Sequence, residues 1–127
     1  MTSEHIILLC LFAPLIAAIG CLLTGTRYRL AAGVAAAGVA VSLTAAIALV
    51  ARTADGSVHA IHSGGWPAPF GVVLVADGFA ALMLAVCQLV VLVALIFGAV
   101  SLPSRLKRRH LFPLVLTLSF GTCGAFL

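Results

Sequence analysis

The sequence predicts an all-α integral membrane protein with about four transmembrane helices and a small external β-hairpin between the second and third helices. Two observations support this prediction. Of the 127 residues, 64% are hydrophobic and 8% are charged, whereas an ordinary soluble domain is about 45–50% apolar and about 25% charged. The apolar residues also fall into four long runs separated by short polar stretches. The composition therefore excludes a soluble globular domain and predicts a chain surrounded by the lipid bilayer.

We expect a single membrane domain over residues 1–127, with spans at 6–23, 30–51, 78–101 and 111–127 and an external hairpin loop at 52–77. The first span follows MTSEH, which contains no Lys or Arg, and it is longer than the apolar core of about 7–15 residues in a signal peptide. It is therefore predicted to be an uncleaved helix. Pro14 is tolerated in such a helix because neighbouring groups can bond the freed backbone.

The second span differs from the others in its small residues, which recur at four-residue spacing. Gly33 pairs in this way with Ala37, and Gly38 with Ser42 and Ala46. Such faces let helix backbones approach closely. We interpret them as packing surfaces within one bundle, and a homodimer contact is the alternative.

The long connection to the third span contains two short runs, VHAIHS and FGVVLV, on either side of GGWPAP. Runs rich in β-branched or aromatic residues around a Gly/Pro turn predict a hairpin. His59 and His62 would project to opposite faces of a strand, so they do not predict a metal site. Trp66 fits the membrane interface, where aromatic residues are enriched.

Two polar residues, Asp77 just before the third span and Gln88 within it, are the candidates for a structural or ion-path role. Asp77 precedes an apolar run that begins at Gly78, and Asp is a favoured N-cap because its carboxylate accepts hydrogen bonds from free backbone N–H groups. Gln88 is the polar residue placed deepest in this run. It predicts either a hydrogen bond to a neighbouring helix or a place along an ion path.

The basic residues predict the orientation of the chain. Six of the seven lie at 24–29 and 102–110, and Arg52 alone lies in the intervening loop. The positive-inside rule places the two basic loops in the cytoplasm and the amino terminus outside a cell membrane. Because these residues serve orientation, nucleic acid is not an expected partner.

The last run, at 111–127, is near the lower limit of about 17–25 residues for a span. It contains Pro113 and several small or hydroxyl-bearing residues, which favour packing against other helices over contact with lipid. We therefore expect an interior helix whose chain continues beyond residue 127.

No catalytic constellation is recognised in the sequence. It lacks a nucleophile with a base, a carboxylate pair and a phosphate-binding glycine loop. The four cysteines, at positions 10, 21, 87 and 123, are too widely spaced for a metal motif and are expected to pack as small hydrophobes. We predict no enzyme activity, no cofactor and no bound metal.

The segments GGWPAPFGVVLVADGFAALM and LFPLVLTLSFGTCGAFL, separated by a basic loop, carry a resemblance. They resemble the amino-terminal part of the MrpD-type (MrpD, MnhD or PhaD) subunit of the multisubunit Na⁺/H⁺ antiporters. This antiporter-like group also includes the proton-pumping membrane subunits of respiratory complex I and of membrane-bound hydrogenases. The resemblance covers essentially the whole chain but only the front of the family protein. The glutamate and lysines that carry protons in the family lie beyond it, so no functional residue is carried over to this chain.

The resemblance implies a role in assembly and scaffolding of an ion-translocating complex. Its implied partners are the remainder of the MrpD-type subunit and the sibling subunits, with Na⁺ and H⁺ as the ions that the complex transports. One alternative is a fragment of a hydrogenase or complex I antiporter-like subunit. Another is a free-standing structural or assembly protein that self-associates through its small-residue face.

Overall fold

The apolar runs of the sequence fold as helices, and the Gly/Pro-rich connection carries the strands. The computed structural model describes residues 3–24, 27–62, 73–101 and 111–127. In this part of the chain the elements are, in order, α1 (Ser3–Leu23), α2 (Tyr28–Thr53), β1 (His59–His62), β2 (Val73–Ala76), α3 (Gly78–Ser101) and α4 (Leu111–Phe126). The predicted class, four helices with a hairpin between the second and third, is confirmed.

Helix length separates α4 from the other three helices. At about 1.5 Å per residue, α1, α2 and α3 rise about 32, 39 and 36 Å, enough to cross a hydrocarbon core of about 30 Å. Within the described residues these three are long and apolar enough to span a membrane. The 16 residues of α4 are also apolar but rise only about 24 Å.

The helices pack as a four-membered ring. Helix α1 contacts α2 and α4, and α3 also contacts α2 and α4. These four contacts join helices that run in opposite directions, as in an up-and-down bundle. A smaller contact joins α2 to α4, which run in the same direction. The interior facing the centre of this ring is where buried polar groups of different helices meet.

The hairpin covers one end of the bundle, here called the hairpin end. Strands β1 and β2 are antiparallel, with His59 opposite Ala76 and His62 opposite Val73. The outer side of β2 is joined to the end of α4, because the Val75 N–H donates to the Leu127 carbonyl at 2.6 Å. The start of α1 also contacts β1. At the other end, here called the arginine end, Arg27 and Arg29 lie where α1 passes to α2.

The apolar core consists of two clusters stacked along the bundle. The hairpin-side cluster includes Ile7, Leu49 and Leu84. The arginine-side cluster includes Val39 and Leu116, together with small residues of α1 and α2. Of the buried polar side chains among the described residues, Ser42, Gln88 and Ser119 lie at the border of these clusters, and Thr53 lies at the hairpin end of α2.

Candidate functional site

A layer of buried polar side chains crosses the middle of the bundle. It contains one residue from each of α1, α2 and α3 and two from α4, all with no exposed surface: Cys10, Ser42, Gln88, Ser119 and Cys123. We call these five residues the polar layer. In sequence, Ser42, Gln88 and Ser119 each fall between a residue of one apolar cluster and a residue of the other. The layer is therefore enclosed by apolar side chains on both sides along the bundle axis.

Gln88 joins α3 to α4 within the layer. Its Nε2 donates to the sulfur of Cys123 at 2.8 Å, and its Oε1 accepts from the Ser119 hydroxyl at 3.0 Å. The residue lies about 15 Å along α3 from Gly78, close to the middle of a bilayer core. Gln88 thus makes the interhelical hydrogen bonds that its depth predicted, and its place in an ion path stays a prediction.

Ser42 joins α2 to α1 at a backbone group that Pro14 leaves free. Because proline has no N–H, the carbonyl of Cys10, four residues earlier, loses its helical partner. The Ser42 hydroxyl donates to that carbonyl at 2.8 Å, and the Cys10 sulfur lies 3.6 Å from the same hydroxyl. Pro14 is itself fully buried. A hydroxyl on the neighbouring helix therefore replaces the missing hydrogen bond, as expected for a proline in a membrane helix.

The layer is chemically neutral and fully hydrogen-bonded. It contains amide, hydroxyl and thiol groups, and among the described residues no buried side-chain nitrogen or oxygen lacks a partner. In the same part of the chain, no three His, Cys, Asp or Glu side chains are grouped so as to hold a metal ion. These hydrogen bonds fix the rotation and register of α2 against α1 and of α3 against α4. The polar atoms of the layer are already occupied by one another.

Asp77 lies outside the layer, at the junction of β2 and α3. Its Oδ1 accepts from the Ala80 N–H at 2.6 Å, and its carbonyl accepts from the Ala81 N–H at 3.0 Å. This is the geometry of an N-cap, as the sequence predicted, and the residue is exposed. The carboxylate therefore satisfies a free backbone donor at the hairpin end, on the positive end of the α3 dipole.

The predicted hairpin features are only partly within the described residues. His59 and His62 do lie on one strand, and the Nε2 of His59 is 3.4 Å from the Ser57 hydroxyl. The GGWPAP turn and Trp66 lie outside the described residues. Parts of both predicting runs, at 63 and 70–72, also lie outside the described residues.

Similar sequences among known proteins share one description. The chain is 34% identical to the D subunit of the Na⁺/H⁺ antiporter of Alkalihalophilus pseudofirmus over 85 residues, which cover 67% of the chain and 17% of that protein. It is 28% identical to a putative antiporter subunit, mnhD2, of Staphylococcus saprophyticus over 127 residues, 100% of the chain and 25% of that protein. It is 27% identical to the D subunit of the Na⁺/H⁺ antiporter of Bacillus subtilis over 124 residues, 98% of the chain and 25% of that protein. The chain is related to the MrpD-type antiporter subunits.

The relation to these antiporter subunits extends over nearly the whole chain but over a small part of each relative. The chain spans from about a sixth to a quarter of the length of these relatives. No protein-family model matches it. Within the described residues of this chain, the polar layer is the candidate site.

Sequence reasoning identified Gln88 but not its partners. Cys10 and Cys123 were expected to pack as small hydrophobes, and Ser42 and Ser119 to mark packing faces. The structure shows all four in hydrogen bonds across helices. A signal was present, because Ser42 and Gln88 each place a polar group near the middle of a long apolar run.

Proposed function

We propose that the chain forms the amino-terminal helices of a monovalent cation/proton antiporter subunit of the Mrp type and that it acts in assembly and scaffolding of the ion-translocating complex. The names of its relatives support the family part of this proposal. Its partners are then the remainder of the MrpD-type subunit and the sibling subunits. Na⁺ and H⁺ are the ions that the whole complex exchanges.

The observation behind the scaffolding role is the neutral, fully hydrogen-bonded polar layer. A proton or cation path across a bilayer needs ionisable or water-ordering groups at depth. In the described residues the Asp, Glu, Lys and Arg side chains lie in or next to the ends of the helices: Glu4, Arg27, Arg29, Arg52, Asp55 and Asp77. The interior between these ends contributes hydrogen bonds that hold α1 to α2 and α3 to α4.

We propose the membrane orientation that the basic loops predict. In a bacterial plasma membrane, the hairpin end faces the outside of the cell and the arginine end faces the cytoplasm. The charges of the chain support it. All three acidic residues, Glu4, Asp55 and Asp77, belong to the hairpin end, where Arg52 is also found. The other six basic residues lie in sequence at 27–29, where α2 begins, and at 105–109, between α3 and α4.

The test separates assembly from transport by measuring both in the same membranes. The chain is produced together with the other subunits of an Mrp-type antiporter, including a polypeptide that supplies the remainder of the MrpD-type subunit, in cells that lack their own Na⁺/H⁺ antiporters. Co-purification on a tagged sibling subunit gives the amount of assembled complex, and dye-reported proton flux in everted vesicles gives antiport. For Gln88→Leu, which removes both hydrogen bonds to α4, we expect the amount of complex and the antiport to fall together. Antiport per assembled complex should stay at the wild-type level.

The matched control is Leu89→Ala, one residue further along α3, where the side chain is exposed on the outside of the bundle. It should change neither quantity. A normal amount of Gln88→Leu complex with antiport abolished would contradict the scaffolding role and assign Gln88 to the ion path. The purified 127-residue chain alone, reconstituted in vesicles with a pH gradient, should show no Na⁺-dependent proton flux above empty vesicles.

A further inference from the structure

An apolar groove runs along the outside of the bundle between α1 and α2. It has a volume of about 760 Å³ and extends along α1 from His5 to Gly20 and along α2 from Val34 to Val41. Its small residues include Ala17 and Gly38, which lie in direct contact between the two helices. The groove forms because the side chains at this junction are small. The larger side chains of Phe12 and Ile16 also line it and are exposed.

The groove approaches the arginine end of the bundle. The Gly20 carbonyl accepts from the Thr24 N–H at 3.1 Å, and the Thr24 carbonyl accepts from the Arg27 N–H at 3.3 Å. Two successive backbone hydrogen bonds therefore connect Arg27 to Gly20, which lines the groove. Arg29 lies about 7.5 Å along α2 from Val34. Both arginines are exposed.

The two arginines have no acidic residue of this chain near them. The three acidic residues of the sequence, Glu4, Asp55 and Asp77, all belong to the hairpin end, a helix length of about 30 Å away. That separation exceeds the screening length of about 8–10 Å at physiological salt. The counter-ion at the arginine end must therefore come from outside the chain.

We propose that this groove binds one anionic phospholipid, with an acyl chain in its arginine-side half and the phosphate between Arg27 and Arg29. The depth of the groove agrees with this occupant. One leaflet is half of a core of about 30 Å, and about 15 Å corresponds to ten helical residues. From the arginine end this distance reaches past Ile16 on α1 and Ala37 on α2, both of which line the groove.

The charge at the headgroup level distinguishes this lipid from the bulk of the bilayer. Any exposed apolar surface in a membrane is covered by acyl chains, but a basic pair beside a groove selects the headgroup as well. Each Lys or Arg near an anionic surface contributes about 1 kcal/mol, so two arginines correspond to a preference of about 30-fold for an anionic over a zwitterionic lipid.

Native mass spectrometry of the protein extracted from membranes, with any subunits that accompany it, tests the proposal. Phosphatidylglycerol and phosphatidylcholine of the same acyl chains are added in equal amounts, and the bound lipid is counted. We expect one phosphatidylglycerol to be retained about 30-fold over phosphatidylcholine. The double variant Arg27→Gln/Arg29→Gln should lose the preference, and Arg27→Lys/Arg29→Lys should keep most of it because the charge remains.

The groove itself is tested by filling it. Ala37→Phe places a ring in the arginine-side half and should release the lipid. Ala36→Phe is the matched control, because Ala36 is the next residue along α2 and is also exposed but does not line the groove. Equal retention of the two lipids, or release of the lipid by both Phe variants, would overturn the proposal. So would release by millimolar inorganic phosphate, since the arginines would then hold a phosphate without its acyl chain. A photo-crosslinking amino acid at position 37 gives a further check. If it reacted with another protein subunit and not with lipid, the proposal would be overturned and the groove would be assigned to a helix of that subunit.

Discussion

Asp77 uses its carboxylate as a helix cap, and this defines what each substitution should do. Asn is about as good a cap as Asp, while replacing a cap with an apolar residue costs about 0.5–2 kcal/mol. We expect Asp77→Asn to leave the amount of assembled complex and most of the antiport unchanged. Asp77→Leu should lower the free energy of unfolding by about 1 kcal/mol, because the Ala80 N–H loses its acceptor. Co-purification measures the amount of complex, and denaturant unfolding in detergent micelles measures the stability.

The control for charge alone is Asp55→Asn, which removes a carboxylate from the same end of the bundle. Asp55 lies in the turn after α2 and is exposed. It should behave as wild type in both assays. If Asp77→Asn assembled normally but carried no antiport, the charge of Asp77 would be needed for transport, and the capping role would not be its main one.

Ser42 and Pro14 should be energetically coupled, because the Ser42 hydroxyl supplies the hydrogen bond to the Cys10 carbonyl that Pro14 cannot donate. Ser42→Ala leaves the Cys10 carbonyl without its partner in the interior. In a Pro14→Ala background the new N–H of residue 14 can bond that carbonyl within α1, so the same substitution should cost less. Interhelical hydrogen bonds in membrane proteins contribute on average about 0.6 kcal/mol and at most about 1.7 kcal/mol. We expect a coupling energy in that range from a double-mutant cycle.

Unfolding by SDS in mixed micelles measures all four corners of the cycle. Thr44→Ala serves as the control on α2, because the Thr44 hydroxyl bonds the Val41 carbonyl of its own helix. Its cost should be the same in both backgrounds. A Ser42→Ala cost that is equal with and without Pro14 would show that the hydroxyl does not replace the proline's missing hydrogen bond.

At the scale of the element, α2 presents two small-residue faces and the structure separates them. Gly38 approaches α1 so closely that an added Cβ would overlap the Cβ of Ala17, whereas nothing lies within 4 Å of a Cβ added at Gly33. Ser42 and Ala46, on the Gly38 side, are fully buried. Only one of the two predicted faces therefore packs within the described part of this chain.

Gly38→Ala and Gly33→Ala form a matched pair on the same helix. Gly38→Ala should destabilise the bundle by about 1–3 kcal/mol, the usual cost of overpacking a close contact. Gly33→Ala should be neutral or stabilising by up to about 1 kcal/mol, because Ala is the better helix former. The free energy of unfolding in micelles measures both. Equal effects of the two substitutions would contradict the close approach of α1 and α2.

The helices could be predicted from the sequence and their rotations could not. Long apolar runs define a helix by length alone, and Asp77 marks the start of α3 through its local chemistry. The face that α2 turns inward depends on which helices surround it. Its sequence, AAGVAAAGVA, places small residues on every side. For the same reason Gln88 could be identified as a buried hydrogen-bonding residue, but its partner Cys123 lies 35 residues away and depends on how α3 and α4 meet.

For the whole molecule, the prediction is one of orientation. In a background without the four native cysteines, Ser57→Cys at the hairpin end should react with an impermeant thiol reagent added to intact cells. Ser104→Cys, in the basic connection before α4, should react only after the membrane is opened. The reason is the segregation of six basic residues away from the hairpin end. The reverse labelling pattern would invert the orientation.

The hydrogen bond between Val75 and Leu127 makes one amide proton a reporter on a distant helix. Val75 donates to the end of α4 at 2.6 Å, so its exchange with deuterium requires that α4 leave the hairpin, even while the strands stay paired. Exchange at Val75 should then follow the local opening free energy of α4, separately from global unfolding. A Ser119→Ala variant, which weakens the hold of α3 on α4, should speed exchange at Val75. Exchange at the Ala80 amide, protected by Asp77, should not change.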